Sequence, residues 1–266
     1  MNHLTLPLNF KQKPYLLALG IASVFFAFSA FLITSGLNQT WMLAVHASPV
    51  LPPWFWSLLN LGGDAWVVLL FLLIFEKQAG QFTSWIIKTW LLGAVLVQTV
   101  KHTWPMPRPG QVLGIDNLSI IDHPPLVTGS MPSGHALAAV SCALMMAYMV
   151  RTRGTGGWTL VLLGLVAGLI AWSRVAVGAH WPADVIAGAG LAVGVVALAY
   201  EWDRHRSWNT WFQKKPGHIF LIVLHIFIAI HLAVPQSDYV WIQFIQWMLS
   251  GISLIRAFVI IKKIAN

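Results

Sequence analysis

The chain has 266 residues, of which 58% are hydrophobic and only 9% charged, and its mean hydropathy is +0.72. A soluble domain carries about a quarter of its residues as Asp, Glu, Lys or Arg, so this composition excludes an ordinary soluble enzyme and predicts an all-α, polytopic transmembrane helical bundle. The formal net charge of +8 is informative through where the basic residues fall more than through their sum, and the single cysteine, Cys142, excludes an intrachain disulfide.

In chain order, Lys11 and Lys13 precede an apolar run from about Tyr15 to Gly36. That run is long enough to cross a bilayer. It is longer than a signal-peptide core and lacks a convincing cleavage site, so it is expected to be a retained first helix. The mixed segment from Leu37 to Pro53, with Pro49, Pro52 and Pro53, reads as an exposed loop or an interfacial piece. A second span is expected from Trp54 to Phe75 and a third from about Ser84 to Lys101. A long polar connection rich in Pro and Gly then runs from His102 to Met131. Helical signals resume at Pro132 and continue to Val150, and the fifth and sixth spans are expected at Gly157 to Val177 and Pro182 to Tyr200. After a linker with Arg204, Arg206, Lys214 and Lys215, two further apolar runs follow, His218 to Val234 and Tyr239 to Ile261. The count is eight spans, the seventh short enough to be re-entrant. The organisation expected is residues 1–203 as a six-span core and residues 204–266 as a cytoplasmic linker with two additional C-terminal spans.

Trp54, Trp56, Trp85, Trp104, Trp158, Trp181, Trp202 and Trp241 lie near the ends of apolar runs and read as headgroup-layer anchors. Alternating spans place Lys11, Lys13, Lys77, Arg151, Arg153, Arg204, Arg206, Lys214, Lys215, Lys262 and Lys263 on one side, with Lys88 and Arg256 inside helices toward it. The positive-inside rule makes that side cytoplasmic. Lys101, Arg108 and Arg174 are left on the outer side, where positive charge at helix ends marks a site more often than a solvated surface.

Those three cations belong to three blocks: Lys101 through Arg108-Pro109, Pro132-Ser133-Gly134-His135, and Ser173 through Asp184. Each has a bland reading alone. Lys101 can snorkel, Ser133-Gly134 can be a turn and cap, and His180 with Asp184, four apart beside Pro182, can be a structural pair at a helix start. Together they supply three cations for a doubly charged anion, a hydroxyl and free N–H groups at a helix start, and two histidines. A carboxylate that keeps one imidazole nitrogen protonated leaves the other free as a nucleophile. The chemistry indicated is phosphoryl transfer.

A zinc site built from His102, His123, His135, His180, Asp122 and Asp184 is the competing reading. Three neighbouring cations would oppose a divalent metal, and no compact ligand motif is present, so no metal and no other cofactor is expected. His225 and His231, six apart in the seventh span, read as packing residues. Asp64, after Leu61-Gly62-Gly63 in the second span, is an ionisable group within the membrane and a functional candidate that could pair with a site cation.

Lys101-x6-Arg108-Pro109, Pro132-Ser133-Gly134-His135 and Ser173-Arg174-x5-His180-x3-Asp184 resemble the three signature blocks of the type 2 phosphatidic acid phosphatase (lipid phosphate phosphatase) superfamily, which also contains vanadium haloperoxidases and bacterial acid phosphatases. All eleven specified positions match. The resemblance implies a six-helix phosphatase core at Tyr15 to Tyr200, with the two C-terminal runs beyond it. It implies catalytic roles for His180 as nucleophile, Asp184 as its partner and His135 as acid and base, and phosphate binding by Lys101, Arg108, Ser133, Gly134 and Arg174. The substrate implied is a lipid phosphate in the bilayer, in a bacterial-type cytoplasmic membrane: polyprenyl diphosphate, phosphatidylglycerol phosphate, phosphatidic acid or a lipid A phosphate. No nucleic-acid partner is expected. Two alternatives stay open: a lipid-to-lipid phosphotransferase using the same site, and a non-enzymatic anion-binding transporter.

Overall fold

A computed structural model describes residues 14–48, 50–76, 81–124, 129–152, 154 and 156–265. Lys11, Lys13, Pro49, Lys77 and Arg153 lie outside the described residues. Among the described residues the chain is helical without a strand. The first helices are α1 (Pro14–Thr34), α2 (Leu37–Ala47), α3 (Pro53–Gly62) and α4 (Ala65–Phe75), followed by α5 (Thr83–Thr103) and the short α6 (Pro109–Leu113). The chain continues through α7 (Gly134–Arg151), α8 (Gly157–Ala176), α9 (Pro182–His205), the short α10 (Asn209–Phe212), α11 (Lys215–Ala233) and α12 (Val240–Ala265). Seven of these helices are long and apolar enough to cross a membrane, and α3 with α4 makes an eighth when the two are counted as one broken span.

The structure refines two expectations from the sequence. The segment after the first span, expected as an exposed loop or an interfacial piece, takes the second form in part: α2 is an eleven-residue helix, ordered because Met42 and His46 are buried against the rest of the bundle. The second span is not one straight helix. It bends by 59° between α3 and α4, because Gly62 and Gly63 end the first helix while Asp64 starts the second. The Asp64 carboxylate accepts from the N–H groups of Trp66 and Val67 at 2.8 and 3.1 Å, which is the role of a helix N-cap. The seventh apolar run forms the nineteen-residue α11, a full candidate span.

α9 is the central strut, packed against α1, α5, α7 and α8. One stretch of it reads Ala187-Gly188-Ala189-Gly190, and small residues let membrane helices approach closely when lipid supplies no hydrophobic drive between them. A Cβ on Gly190 would lie 2.6 Å from Phe25 Cβ on α1, and one on Gly188 would run into the Ser133 carbonyl at the start of α7. The largest apolar cluster lies around α4, α5, α7 and α9, including Leu69, Ile86, Met145 and Met149, and reaches Ile228 and Leu232 on α11. Three of the eight tryptophans expected as anchors are core residues instead: Trp56, Trp85 and Trp181 are buried, and the Trp85 indole N–H donates to the Val196 carbonyl at 3.1 Å.

Candidate active site

The three sequence blocks meet at one end of the bundle, where α5 ends and α7 and α9 begin. The turn between α8 and α9 is tight: the N–H groups of Ala179 and His180 both donate to the Arg174 carbonyl, at 3.0 and 3.1 Å. Gly178 makes this possible with φ of 80°, a left-handed conformation that glycine adopts without a Cβ clash. The start of α9 is tied on its other side by Asn38, whose side-chain oxygen accepts from Ala183 N–H at 2.9 Å, and by Ser29, whose hydroxyl donates to the Ala183 carbonyl at 2.8 Å.

His180 is 3% exposed and Asp184 1%. One Asp184 oxygen accepts from the Trp181 N–H at 2.9 Å and lies 3.3 Å from His180 Nδ1. The same oxygen accepts from the Ser130 hydroxyl, so three donors converge on it and leave it oriented toward the imidazole. His180 Nε2 lies 3.5 Å from Arg108 Nη1. A guanidinium can only donate, so Nε2 is the nitrogen with the lone pair and Nδ1 carries the proton that faces Asp184. Burial, with Arg174, Arg108 and Lys101 nearby, holds the imidazole well below its ordinary protonation range, and His180 is neutral.

The cations surround this ring without neutralising one another. Arg108 is buried and is anchored by donating from Nη1 to the Ala179 carbonyl at 2.6 Å and from Nη2 to the Gly129 carbonyl at 3.5 Å. Burial lowers the pKa of its guanidinium. Arg174 donates from Nη1 to the side-chain oxygen of Asn60 on α3, while its buried Nε has no acceptor among the described residues. Lys101 runs along the backbone of Gly129, where a Cβ would sit 3.5 Å from the lysine's own Cβ.

Ser133 is the N-cap of α7, accepting from Ala136 N–H at 3.4 Å, and its N–H donates to the Asp184 carbonyl at 3.0 Å. That bond registers the start of α7 against the start of α9. The N–H groups at Gly134 and His135, in the first turn of an eighteen-residue helix, have no intrahelical acceptor and form an anion-binding end. His135 stands in that turn, packed on Gly63 so closely that a Cβ there would lie 3.1 Å from His135 Cδ2.

All eight residues expected at the site are therefore brought together. The zinc alternative finds its residues dispersed: His102 is exposed and bonds to the Gln98 carbonyl, and His123 pairs with Asp238 at 3.0 Å. Among the described residues no three His, Cys, Asp or Glu side chains converge as a ligand set. Sequence reasoning missed Ser130, Asn60, Asn38 and Ser29. Ser130 stands three residues before Ser133 and had the same small hydroxylic signal. Asn60 and Asn38 sit on helices that no motif connects to the site. His46 was also missed: its Nε2 donates to the Val175 carbonyl at 3.0 Å while Nδ1 accepts from Ser119 N–H at 3.0 Å, fastening the connection between α6 and α7 to the end of α8.

A cleft of ≈ 380 Å³ between α4, α5 and α7 reaches this cluster from within the bundle. Asp64, Gly134 and His135 line its upper end and Leu69, Ile86 and Met145 its depth. From Gly134 to Met145 is eleven residues of α7, or about 16 Å at the helical rise of ~1.5 Å per residue. A second groove of ≈ 590 Å³, lined by Val45, Trp56 and Trp172 among others, contains none of the clustered cations or their histidines.

Helical spans thus enclose a cluster of cations around a buried, carboxylate-held histidine, an arrangement chemically suited to an oxyanion. Residues 82–208 match the family model described as the PAP2 superfamily. This segment, a little under half of the chain, carries all three blocks. The chain is 30% identical over 123 residues to an undecaprenyl-diphosphatase of Sulfolobus acidocaldarius, covering 46% of this chain and 56% of that protein. It is 31% identical over 109 residues to the putative undecaprenyl-diphosphatase YbjG of Escherichia coli, covering 40% and 49%. The match thus spans about half the length of these curated relatives. In fold the chain is similar to the crystal structure of a transmembrane PAP2 type phosphatidylglycerolphosphate phosphatase from Bacillus subtilis, with a TM-score of 0.51 and 17% identity over 71% of this chain and 96% of that one.

Proposed function

We propose that the protein is an integral-membrane lipid phosphatase that works through a phosphohistidine. The observation that carries this reading is the placement of His180: a buried imidazole with Nδ1 3.3 Å from Asp184 and Nε2 3.5 Å from Arg108. An anion-binding transporter needs cations but no oriented nucleophile. In the first step His180 Nε2 attacks the terminal phosphorus and the bond from that phosphorus to its ester or bridging oxygen breaks, so that the lipid alcohol of a monoester or the lipid monophosphate of a diphosphate leaves. The leaving oxygen takes a proton from His135, and the developing imidazolium is stabilised by Asp184. Lys101, Arg108, Arg174 and the N–H groups at the start of α7 bind the remaining phosphoryl oxygens, where transition-state charge is spread. In the second step water attacks the phosphohistidine, its proton passes to His135, and inorganic phosphate leaves. The fixed cations supply the charge stabilisation that magnesium supplies in many phosphoryl-transfer enzymes.

A lipid substrate is supported by the cleft. His135 is on the leaving-group side in this mechanism, and the cleft begins at His135 and descends about half the depth of a ~30 Å hydrocarbon core. The names of both curated relatives make a polyprenyl diphosphate the first lipid to test, ahead of phosphatidylglycerol phosphate, phosphatidic acid and lipid A phosphates. The excess of Lys and Arg at the other end of the bundle supports a site on the outer face of a cytoplasmic membrane. The experiment is phosphate release by purified protein in detergent from these four lipids, with excess chelator and with His180→Ala. Release that survives chelator and disappears in the variant is expected. Equal release by the variant, or none from any lipid by the wild type, overturns the reading.

A further inference from the structure

The segment matched by the family stops at residue 208, yet α11 and α12 beyond it are wired to the site. His231 near the end of α11 places Nε2 3.3 Å from the Asp64 carboxylate and 2.9 Å from the side-chain nitrogen of Gln236. Asp64 is 8% exposed, and its other oxygen caps α4. The Trp66 ring, two residues on, packs against both Phe227 and His231 of α11. The turn between α11 and α12 makes a second attachment: the Ser237 hydroxyl lies 2.7 Å from that of Ser57 on α3, and Ser57 donates to Asp122 in the connection between α6 and α7 at 2.7 Å. Asp238 N–H donates to the other Asp122 oxygen at 3.1 Å. Both arms of the broken span are therefore gripped by the C-terminal hairpin, one on each side of the break at Gly63–Asp64.

That break sits directly behind the phosphate site. Asn60, three residues before Gly63, accepts from Arg174, and Gly63 itself is the surface against which His135 packs. Two helix pieces meeting at 59° have no continuous backbone ladder to hold their angle, so the angle depends on what clamps them from outside. We propose that the C-terminal hairpin is a working part of the phosphate site, with His231 and Asp64 as positioning residues that set the α3–α4 break and through it seat Arg174 and His135. This deepens the phosphatase reading and rests on it. The working unit then extends past residue 203 to include α11 and α12.

Asp64→Asn separates the two jobs of Asp64, because an asparagine oxygen can still cap α4 while the charge that holds His231 is gone. His231→Phe keeps the ring packing on Trp66 but removes the polar contact to Asp64, and His231→Gln restores a polar side chain there. Asp64→Asn and His231→Phe are each expected to lower kcat about ten-fold with KM changed less than about two-fold, a coupling of the size seen between linked sites. His231→Gln should recover most of the loss, and the double variant should be no worse than Asp64→Asn alone. Thermal unfolding in detergent reports whether each variant is folded. Variants that lose thermal stability while keeping wild-type kcat, or a double variant whose losses multiply, overturn the proposal. Orthovanadate, a phosphate mimic, reads the cation cradle without turnover through its shift of the unfolding temperature. A wild type that binds vanadate but releases no lipid phosphate sinks the functional reading, and the hairpin is then judged by whether Asp64→Asn and His231→Phe weaken vanadate binding.

Discussion

At the scale of single residues, the site turns on one imidazole whose two nitrogens face opposite chemistries. Because burial and the neighbouring cations hold His180 well below its ordinary 6.5, the nucleophilic, unprotonated form persists as pH falls through 6.5. The kcat/KM of the free enzyme should therefore stay flat from neutrality to about pH 5.5, with the substrate's own ionisation measured separately; an acid limb centred at the ordinary histidine value would show a solvated ring. Arg174 makes a second residue-scale test. Its Nη1 donates to Asn60, and its buried Nε has no acceptor among the described residues. Arg174→Lys keeps the charge and loses the planar fork, so phosphate release should fall by about ten-fold or more at unchanged thermal stability. The blocks that hold these residues were legible as sequence because their chemistry demands particular residue types at fixed spacing. Ser130 was not, since a hydroxyl that orients a carboxylate from fifty-four positions away leaves no local pattern.

At the scale of elements, hydrophobic runs predicted helices well where a helix stands alone against lipid and poorly where one is bent or held by neighbours. The run from Trp54 to Phe75 is apolar throughout, and nothing in its hydropathy distinguishes a straight span from two pieces at 59°. The distinguishing feature is local: two glycines followed by an aspartate that caps the next helix. α2 formed ahead of the prolines of its segment, and burial of Met42 and His46, which the sequence does not display, holds it against the bundle. The cleft between α4, α5 and α7 belongs to this scale as well. Gly93 lines it, and a Cβ there would lie 2.9 Å from Leu137 Cδ2. Gly93→Leu should narrow the cleft and raise KM for a long-chain lipid by about ten-fold, one methylene-scale contact after another, while hydrolysis of a short, water-soluble phosphate ester changes little. Equal losses on both substrates would show that the cleft does not receive the chain.

At the scale of the whole molecule, the end opposite the site is locked by a charge pair inside an aromatic cage. Lys88 is fully buried, donates to Asp203 at 2.8 Å and to the Arg206 carbonyl, and lies 4.9 and 4.6 Å from the ring centres of Trp202 and Trp208. The sequence reading placed Lys88 only as a helix residue near the basic face. Asp203→Asn would leave the ammonium buried without its counter-charge, a loss of roughly 3 kcal/mol or more in stability, visible as a lower unfolding temperature in detergent. Asp184 and Asp203 are nineteen residues apart on α9, about 28 Å at the helical rise, so the folded variant should keep its phosphate release at low temperature.

Taken by itself, the sequence determined the membrane class, nearly all the spans, and the eight residues that gather at the site. Composition and residue chemistry are local properties, and each signature block is short enough to be read without knowing what surrounds it. Tertiary structure alone decided the 59° break, the burial of Trp56, Trp85 and Trp181, the convergence of Ser130, Trp181 and His180 on one carboxylate oxygen, and the link from His231 to Asp64 across 167 positions. Those features depend on which helix faces meet, and facing is set by the packing of the whole bundle, which no single stretch of chain encodes.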